Sequence, residues 1–137
     1  MDKADVDGWL GSYVEAWKTY DRDLITALFA ENIMYRYHPY DDPVVGRDAV
    51  VAAWLGESDT PGASARDAPG TYDGNYAAIA VDGDVAVATG LTTYYEAAGG
   101  SVERVFHNCF VLRFDGGMRC SEFTEWYIER PPAATTE

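Results

Sequence analysis

The chain is poor in positive charge and in long apolar runs, and each shortage excludes a class of protein. Only 10 of its 137 residues are Lys or Arg, against 23 Asp or Glu, which gives a net charge of −13. This charge would repel nucleic acid and anionic membrane surfaces, so neither is expected as a partner. No apolar run approaches the ~18–20 residues of a membrane-spanning helix. The acidic start MDKADVDGWL lacks the pattern of a signal peptide, so a cytoplasmic protein is expected.

Cysteines and the familiar catalytic motifs are also scarce. Cys109 and Cys120 flank a predicted hairpin turn at residues 115–117, whose register keeps them too far apart for a disulfide. Both are therefore expected to be free, buried thiols. The sequence contains no GxSxG, GxGxxG, Walker or HExxH motif. With 2 histidines and 2 cysteines in the chain, neither a metal site nor a cofactor is expected.

Apolar and aromatic residues are abundant, at 47% and 14% of the chain, which predicts a packed core. The length predicts one domain over residues 1–130, followed by a flexible tail over residues 131–137. An apolar stripe at three- and four-residue spacing predicts a first helix. Its members are Val6, Trp9, Leu10, Tyr13, Trp17 and Tyr20.

The remaining pattern changes from helix to strand along the chain. Asp21 or Asp23 can cap a second helix that carries Leu24, Leu28 and Phe29, and a short strand is predicted over residues 33–38. A third helix follows Gly46, and the Gly- and Pro-rich residues 56–70 form either a functional loop or a disordered one. Four strands are predicted over residues 71–80, 84–96, 101–114 and 118–129. Helices followed by an antiparallel meander predict an α+β fold with the helices on one face of a curved sheet.

The third of these four strands is apolar on both faces. One face carries Phe106 and Phe110, and the other carries Val105 and Val111. A sheet with two apolar faces has to be covered on both of them. Because the helices can cover only one face, a homodimer through the outer face is predicted.

The order of the elements resembles the nuclear-transport-factor-2-like superfamily, which includes ketosteroid isomerases, SnoaL-like polyketide cyclases, limonene epoxide hydrolases and scytalone dehydratases. The resemblance rests on the aromatic first helix, AENI at residues 30–33, VGRDAV at 45–50 and VLRFD at 111–115. It covers residues 5–130. It implies a cone-shaped curved antiparallel sheet wrapped around three N-terminal helices, with a pocket inside the cone.

The resemblance also implies roles for single residues. Tyr13 matches the tyrosine with which ketosteroid isomerases polarise the substrate oxygen. Their general-base aspartate is replaced here by Tyr37, or by His38 if the strand is bulged, and their second oxyanion donor falls at Phe110. These departures argue against ketosteroid isomerase activity itself. The same alignment turns Asn108 and Glu125 inward, together with Thr89, Leu91 and Thr93, while Arg104 shares that face by strand alternation.

Two side chains are the main candidates for moving a proton. An imidazole such as that of His38 is a side chain suited to proton transfer, although a histidine in a proline turn is more simply explained by contacts with backbone or solvent. Glu125 among aromatic side chains would have a raised pKa suited to acid–base chemistry, or it would form a buried salt bridge with Arg104 or Arg36. A register shift of one residue would put Glu122 in its place.

The other polar candidates have equally simple structural explanations. Asn108 would orient a carbonyl group or a water molecule, or satisfy a neighbouring polar group. His107, on the opposite strand face, is interpreted as a surface or interface residue. Asp41 and Asp42 are interpreted as turn residues that bond the backbone.

Together these observations predict a pocket for a small apolar or aromatic molecule and cofactor-free proton transfer, such as isomerisation, cyclisation, dehydration or hydration. The predicted catalytic residues are His38, Glu125, Tyr13 and Asn108. The predicted ligand-binding residues are Trp17, Tyr37, Trp54, Leu91, Thr93, Phe106, Phe110 and Phe123. The alternatives are a binding module without turnover and a structural dimer whose interior is filled by its own side chains.

Overall fold

The structure of the protein is a computed structural model that describes residues 1–57 and 66–131. Its helices are α1 (Lys3–Thr19), α2 (Arg22–Leu28) and α3 (Arg47–Trp54). Its strands are β1 (Phe29–Arg36), β2 (Val44–Val45), β3 (Tyr72–Asp82), β4 (Val85–Tyr95), β5 (Val102–Phe114) and β6 (Cys120–Glu129). Most of the predicted loop, residues 58–65, and residues 132–137 of the predicted tail lie outside the described residues.

Two aspartates define the starts of the first two helices. Asp2 caps α1 by accepting a hydrogen bond from the Asp5 amide at 2.9 Å, and the Asp5 carboxylate accepts one from the Asp2 amide at 2.9 Å. Asp21, rather than Asp23, caps α2 by accepting from the Leu24 amide at 3.0 Å. These bonds satisfy backbone donors that a helix start leaves free. Tyr13 lies on the buried face of α1.

The sheet has the strand order β2-β1-β6-β5-β4-β3, and β3 to β6 form the predicted antiparallel meander. The α+β cone is therefore confirmed, with one addition: β1 pairs with β6 in parallel, so the sheet is mixed. Phe29 begins β1 and pairs with Cys120, whereas the sequence pattern assigned it to the second helix. Pairing with a strand distant in sequence, together with complete burial of Phe29, outweighs the local helical pattern here.

The pairing of β4 with β5 determines which side chains face the helices. Gly90 lies directly opposite Asn108, and opposed residues share one face of a sheet. Strand alternation then turns Thr92 inward, where it is buried, and turns Leu91 and Thr93 outward. The predicted inward orientation of Thr89, Leu91 and Thr93 is therefore wrong by one residue. Leu91 is 37% exposed on the outer face.

The core lies between the helices and the inner face of the sheet. Phe110 and Phe123 have no exposed surface, and the centroid of the Tyr13 ring is 5.9 and 5.8 Å from theirs. Trp9 packs edge-on against Phe29 and donates its indole N–H to the Leu28 carbonyl oxygen at 3.0 Å. Aromatic packing of this kind joins the helices to the sheet around Tyr13.

Gly90 gives a direct test of this packing. A Cβ atom at residue 90 would overlap the carbonyl oxygen of Asn75 and lie 2.7 Å from the Cα of Tyr76. We expect Gly90→Ala to lower the free energy of unfolding by about 1–3 kcal/mol, because the backbone of β3 has to move. Urea unfolding followed by circular dichroism measures this change.

The matched control is Gly8→Ala. Gly8 is exposed in the interior of α1, with no atom within 4 Å of an added Cβ. This substitution should raise the free energy of unfolding by about 0.5–1 kcal/mol through helix propensity. If Gly90→Ala were as stable as the unchanged chain, the close approach of β3 and β4 at Gly90 would be wrong.

Candidate functional site

A cavity of about 330 Å³ lies between the helices and the inner face of the sheet. This volume suits a small organic molecule. Its wall is mainly aromatic: Tyr13, Trp17, Tyr20, Tyr35, Tyr37, Trp54, Tyr76, Tyr94, Phe106 and Tyr127. The polar residues of the wall are Asp67, Thr92, Arg104, Asn108 and Glu125.

The structure brings half of the predicted ligand-binding residues together around this cavity. Trp17, Tyr37, Trp54 and Phe106 line it. Phe110 and Phe123 are instead fully buried in the core, packed against the Tyr13 ring. The other two, Leu91 and Thr93, lie on the outer side of β4 and face away from the cavity.

Glu125 is partly exposed as a residue, but its carboxyl group is buried in the cavity. It lies opposite Phe110 on the inner face of the sheet, and its Oε2 atom accepts a hydrogen bond from Asn108 Nδ2 at 2.7 Å. Burial raises the pKa of Glu125 to about 7, while the Asn108 hydrogen bond acts in the opposite direction. Glu122, the alternative in the sequence, is half exposed and lies 3.6 Å from the Arg113 guanidinium. Glu125 is therefore the group that can give or take a proton near neutral pH.

A chain of hydrogen bonds runs across three strands to this carboxylate. Thr92 Oγ1 donates to Asn108 Oδ1 at 2.8 Å, which leaves the Asn108 amide nitrogen facing Glu125. Because the Thr92 proton is used in that bond, the Tyr76 hydroxyl, 2.5 Å from Thr92 Oγ1, is the donor to Thr92. All the donors thus point towards Glu125, and Gly90 leaves the space in which the Tyr76 ring lies.

The tyrosine hydroxyls of the cavity are protonated at neutral pH. Burial raises the pKa of Tyr13 and of Tyr35 well above the usual range. Burial also raises the pKa of Tyr37 to about 12. A protonated phenol donates a hydrogen bond, so these side chains can hold an oxygen atom of a ligand.

His38 does not belong to the described lining of the cavity but reaches it through Tyr127. The imidazole Nε2 atom is 2.6 Å from the Tyr127 hydroxyl, and Nδ1 is 2.8 Å from Asp41 Oδ2. Asp41 thus bonds a side chain, where the sequence predicted a bond to backbone. Sequence reasoning missed Tyr127. Tyr127 follows Glu125 by two residues, so strand alternation places both side chains on the same face of β6.

The more exposed side of the cavity carries the charged residues Arg104 and Asp67. The Arg104 guanidinium lies 5.0 Å from the centroid of the Tyr94 ring and 5.6 Å from that of Phe106. Its ion-pair partner among the described residues is Glu103, at 3.8 Å. The alternative of a buried salt bridge between Glu125 and an arginine is therefore not found in the part of the chain described. Asp67 accepts a hydrogen bond from the Trp17 indole at 3.2 Å.

Metal and membrane features were searched over residues 1–57 and 66–131. Within these ranges no three or more His, Cys, Asp or Glu side chains are grouped so that they could hold a metal ion. None of the helices described combines the length and the apolar character that a membrane crossing requires. Cys109 and Cys120 are both free, and Cys120 is the more buried of the two.

Comparison with known proteins identifies the family. The model of the SnoaL-like domain matches residues 10–122, so the chain belongs to the SnoaL-like domain family. No curated protein matches the chain.

Solved structures with the same fold come from several bacteria. An epoxide hydrolase of the LEH-like kind from M. tuberculosis matches with a TM-score of 0.61 and 12% identity, over 92% of this chain and 84% of that one. A Burkholderia xenovorans NTF-2-like protein of unknown function matches with a TM-score of 0.61 and 15% identity, over 96% of this chain and 88% of that one. A Xanthomonas campestris protein assigned as a polyketide cyclase matches with a TM-score of 0.62 and 18% identity, over 92% of each chain. At these identities the likeness concerns the fold alone.

The raised pKa of Glu125 predicts a pH dependence of stability. An acid whose pKa rises from 4.5 to about 7 on folding binds its proton more tightly in the folded chain than in the unfolded one. Its stabilising contribution is therefore fully present below pH 4.5 and is lost as the pH rises through 7. Between pH 4.5 and pH 7, the free energy of unfolding of the unchanged chain should therefore fall by about 3 kcal/mol relative to that of Glu125→Gln.

Urea unfolding of both proteins at several pH values between these limits measures the difference. Glu122→Gln is the matched control, since Glu122 lies on the same strand but is half exposed. This variant should follow the unchanged chain. Parallel stability curves for Glu125→Gln and the unchanged chain would contradict the assignment.

Proposed function

We propose that the chain is an enzyme that binds a small, largely apolar molecule in this cavity and transfers a proton on it without a cofactor. The observation that carries the proposal is the buried Glu125 carboxylate in an aromatic cavity, with a pKa of about 7. At neutral pH such a group is present both as acid and as base. Isomerisation, cyclisation, dehydration and hydration all need this step.

The neighbouring side chains supply the other parts of the proposed mechanism. The Tyr13 hydroxyl, which burial keeps protonated, would donate a hydrogen bond to a substrate oxygen where negative charge develops. One N–H of the Asn108 amide is bonded to Glu125. Its second N–H remains for the same substrate oxygen. Tyr37, Trp17, Trp54 and Phe106 would hold the apolar body of the ligand in position.

Two of the named structural neighbours support this class of chemistry. One is called an epoxide hydrolase and the other is assigned as a polyketide cyclase. Both reactions act on small organic molecules. The two free cysteines fit the reducing environment of the cytoplasm, which we propose as the location of the protein.

A ligand screen with a turnover assay tests the proposed function. Polycyclic ketones, terpenoid epoxides and aromatic acids are screened by thermal shift, where a ligand at a hundred times its Kd adds about 2.7 kcal/mol. Ligands that bind are then incubated in D₂O, and mass spectrometry follows deuterium uptake or product formation. Glu125→Gln should keep binding and lower the rate by about 10²–10⁴-fold.

Glu122→Gln is again the control and should keep the full rate. Binding with no turnover by the unchanged chain would indicate a binding module. Equal rates for Glu125→Gln and the unchanged chain would remove Glu125 from the mechanism. A flat thermal-shift response to all three ligand classes would contradict the proposed pocket function.

We propose secondly that two copies of the chain associate through the outer face of the sheet. Three cross-strand rows on this face contain no Asp, Glu, Lys or Arg: Leu91–His107–Ile128, Thr89–Cys109–Trp126 and Val87–Val111–Thr124. Leu91, Trp126 and Ile128 are 37%, 41% and 74% exposed there. In a chain of net charge −13, a patch of three rows without charged residues is where two copies repel each other least.

Light scattering after size exclusion tests the dimer. The unchanged chain should have twice its chain mass of 15.1 kDa, and Ile128→Asp and Leu91→Asp should each shift it towards the monomer by burying a charge. Val45→Asp is the control, because Val45 is 62% exposed on the edge strand β2. A monomeric mass for the unchanged chain would rule out the dimer.

A further inference from the structure

The turn that follows β1 holds a histidine between a carboxylate and a tyrosine hydroxyl. The Asp41 amide donates to the His38 carbonyl oxygen at 3.1 Å, which closes a turn with Pro39 in its first central position. Arg36 Nε donates to the Asp41 carbonyl oxygen at 3.3 Å. This turn brings the Asp41 carboxylate to 2.8 Å from His38 Nδ1. The other ring nitrogen, Nε2, is 2.6 Å from the hydroxyl of Tyr127.

With a neutral imidazole beside an ionised carboxylate, these contacts fit one arrangement of the protons. An ionised carboxylate only accepts hydrogen bonds, so Nδ1 of His38 carries the proton that is donated to Asp41. The Nε2 atom of the neutral ring then has a free lone pair and accepts the Tyr127 hydroxyl proton. Hydroxyl, imidazole and carboxylate thus stand in the order that activates a hydroxyl oxygen for reaction.

Tyr127 connects this group to the cavity. It lies opposite Asn108 on the inner face of the sheet, and it lines the cavity together with Glu125. The Phe106 ring packs edge-on against it, with 5.5 Å between ring centroids. Tyr127 therefore contributes its side chain to the wall of the cavity and has its hydroxyl on His38.

We propose that Tyr127 is a second proton-transferring group of the cavity, and that His38 and Asp41 form the relay that removes the proton from its hydroxyl. The substrate class is a carbonyl compound with an acidic hydrogen on the carbon beside the carbonyl group. The Tyr127 oxygen takes that hydrogen as a proton, and the Tyr127 proton passes to His38 Nε2. The C–H electron pair stays on the substrate as an enolate, and the imidazolium remains paired with Asp41.

This role in turnover rests on the proposed function, whereas the activation of the Tyr127 hydroxyl does not. The activation can be measured without the natural substrate by using N-acetylimidazole, which acetylates tyrosine oxygens. In that reaction the Tyr127 oxygen bonds to the acetyl carbon and the acetyl C–N bond breaks. The phenol proton passes to His38, and the departing nitrogen takes a proton from solvent, so that neutral imidazole leaves and His38 returns its proton to solvent.

Tyr40 is a matched reference within the same turn. It is 81% exposed, against 42% for Tyr127, so exposure alone would make Tyr40 the faster to react. Under the proposal, Tyr127 is acetylated at least about tenfold faster than Tyr40, as measured by peptide mass spectrometry over time. Equal or slower acetylation of Tyr127 would overturn the proposal.

Two variants separate activation from structure. His38→Gln can still accept a hydrogen bond from Tyr127 but cannot take its proton, and it should lower the Tyr127 rate by about tenfold or more. Rates in this variant are normalised to Tyr95, at the end of β4, because Tyr40 stacks on the His38 ring. Asp41→Asn keeps the hydrogen-bond geometry without the charge and should lower the rate less. An unchanged Tyr127 rate in folded His38→Gln would overturn the relay.

Glu125→Gln distinguishes failure of the relay from failure of the proposed function. It should keep fast acetylation of Tyr127, because the relay does not contain Glu125. Slow acetylation in a protein whose turnover depends on Glu125 would refute the relay alone. Fast, His38-dependent acetylation in a protein that binds no ligand would refute the proposed function alone.

Discussion

The structure depends on one constraint, which is that a carboxylate is buried inside an aromatic cavity. An ionised carboxyl group in such surroundings is costly unless hydrogen bonds compensate for the lost water. Here the compensation comes from the Asn108 amide, which Thr92 and Tyr76 orient in turn. These side chains belong to β3, β4 and β5, while Glu125 belongs to β6. The register of the whole meander is therefore tied to a single acidic side chain.

Much of the fold could be predicted from local patterns in the sequence. The three- and four-residue spacing of the first helix identified Tyr13 and Trp17 as inward-facing, and both line the cavity. The likeness to other proteins turned Asn108 and Glu125 inward, and the register of β5 and β6 puts both on one face. For β4, the same likeness gave an orientation that was off by one residue. Leu91 and Thr93 were therefore predicted on the inner face, which Thr92 occupies, because an error of one residue moves every side chain of a strand to the opposite face.

The contacts among Asp41, His38 and Tyr127 could not be predicted in the same way. His38 and Tyr127 are 89 residues apart, and they meet because β1 pairs in parallel with β6. Nothing in the local pattern of either strand specifies that partner. Asp41 and His38 are only three residues apart, and a proline turn between a histidine and an aspartate was the available signal. Interpreting Asp41 as a residue that bonds backbone concealed its contact with the imidazole ring.

The direction of the hydrogen bonds in the cavity has a further consequence for proton exchange. Every donor in the chain from Tyr76 points towards Glu125, and its last member, Asn108, is an amide that does not give up its proton near neutral pH. The chain can therefore hold the carboxylate in place but cannot carry a proton to or from it. Within residues 1–57 and 66–131, the route left for proton exchange with Glu125 is the open space of the cavity. A ligand that fills this space would isolate the group, so the protonation state at the moment of binding decides whether Glu125 meets that ligand as an acid or as a base.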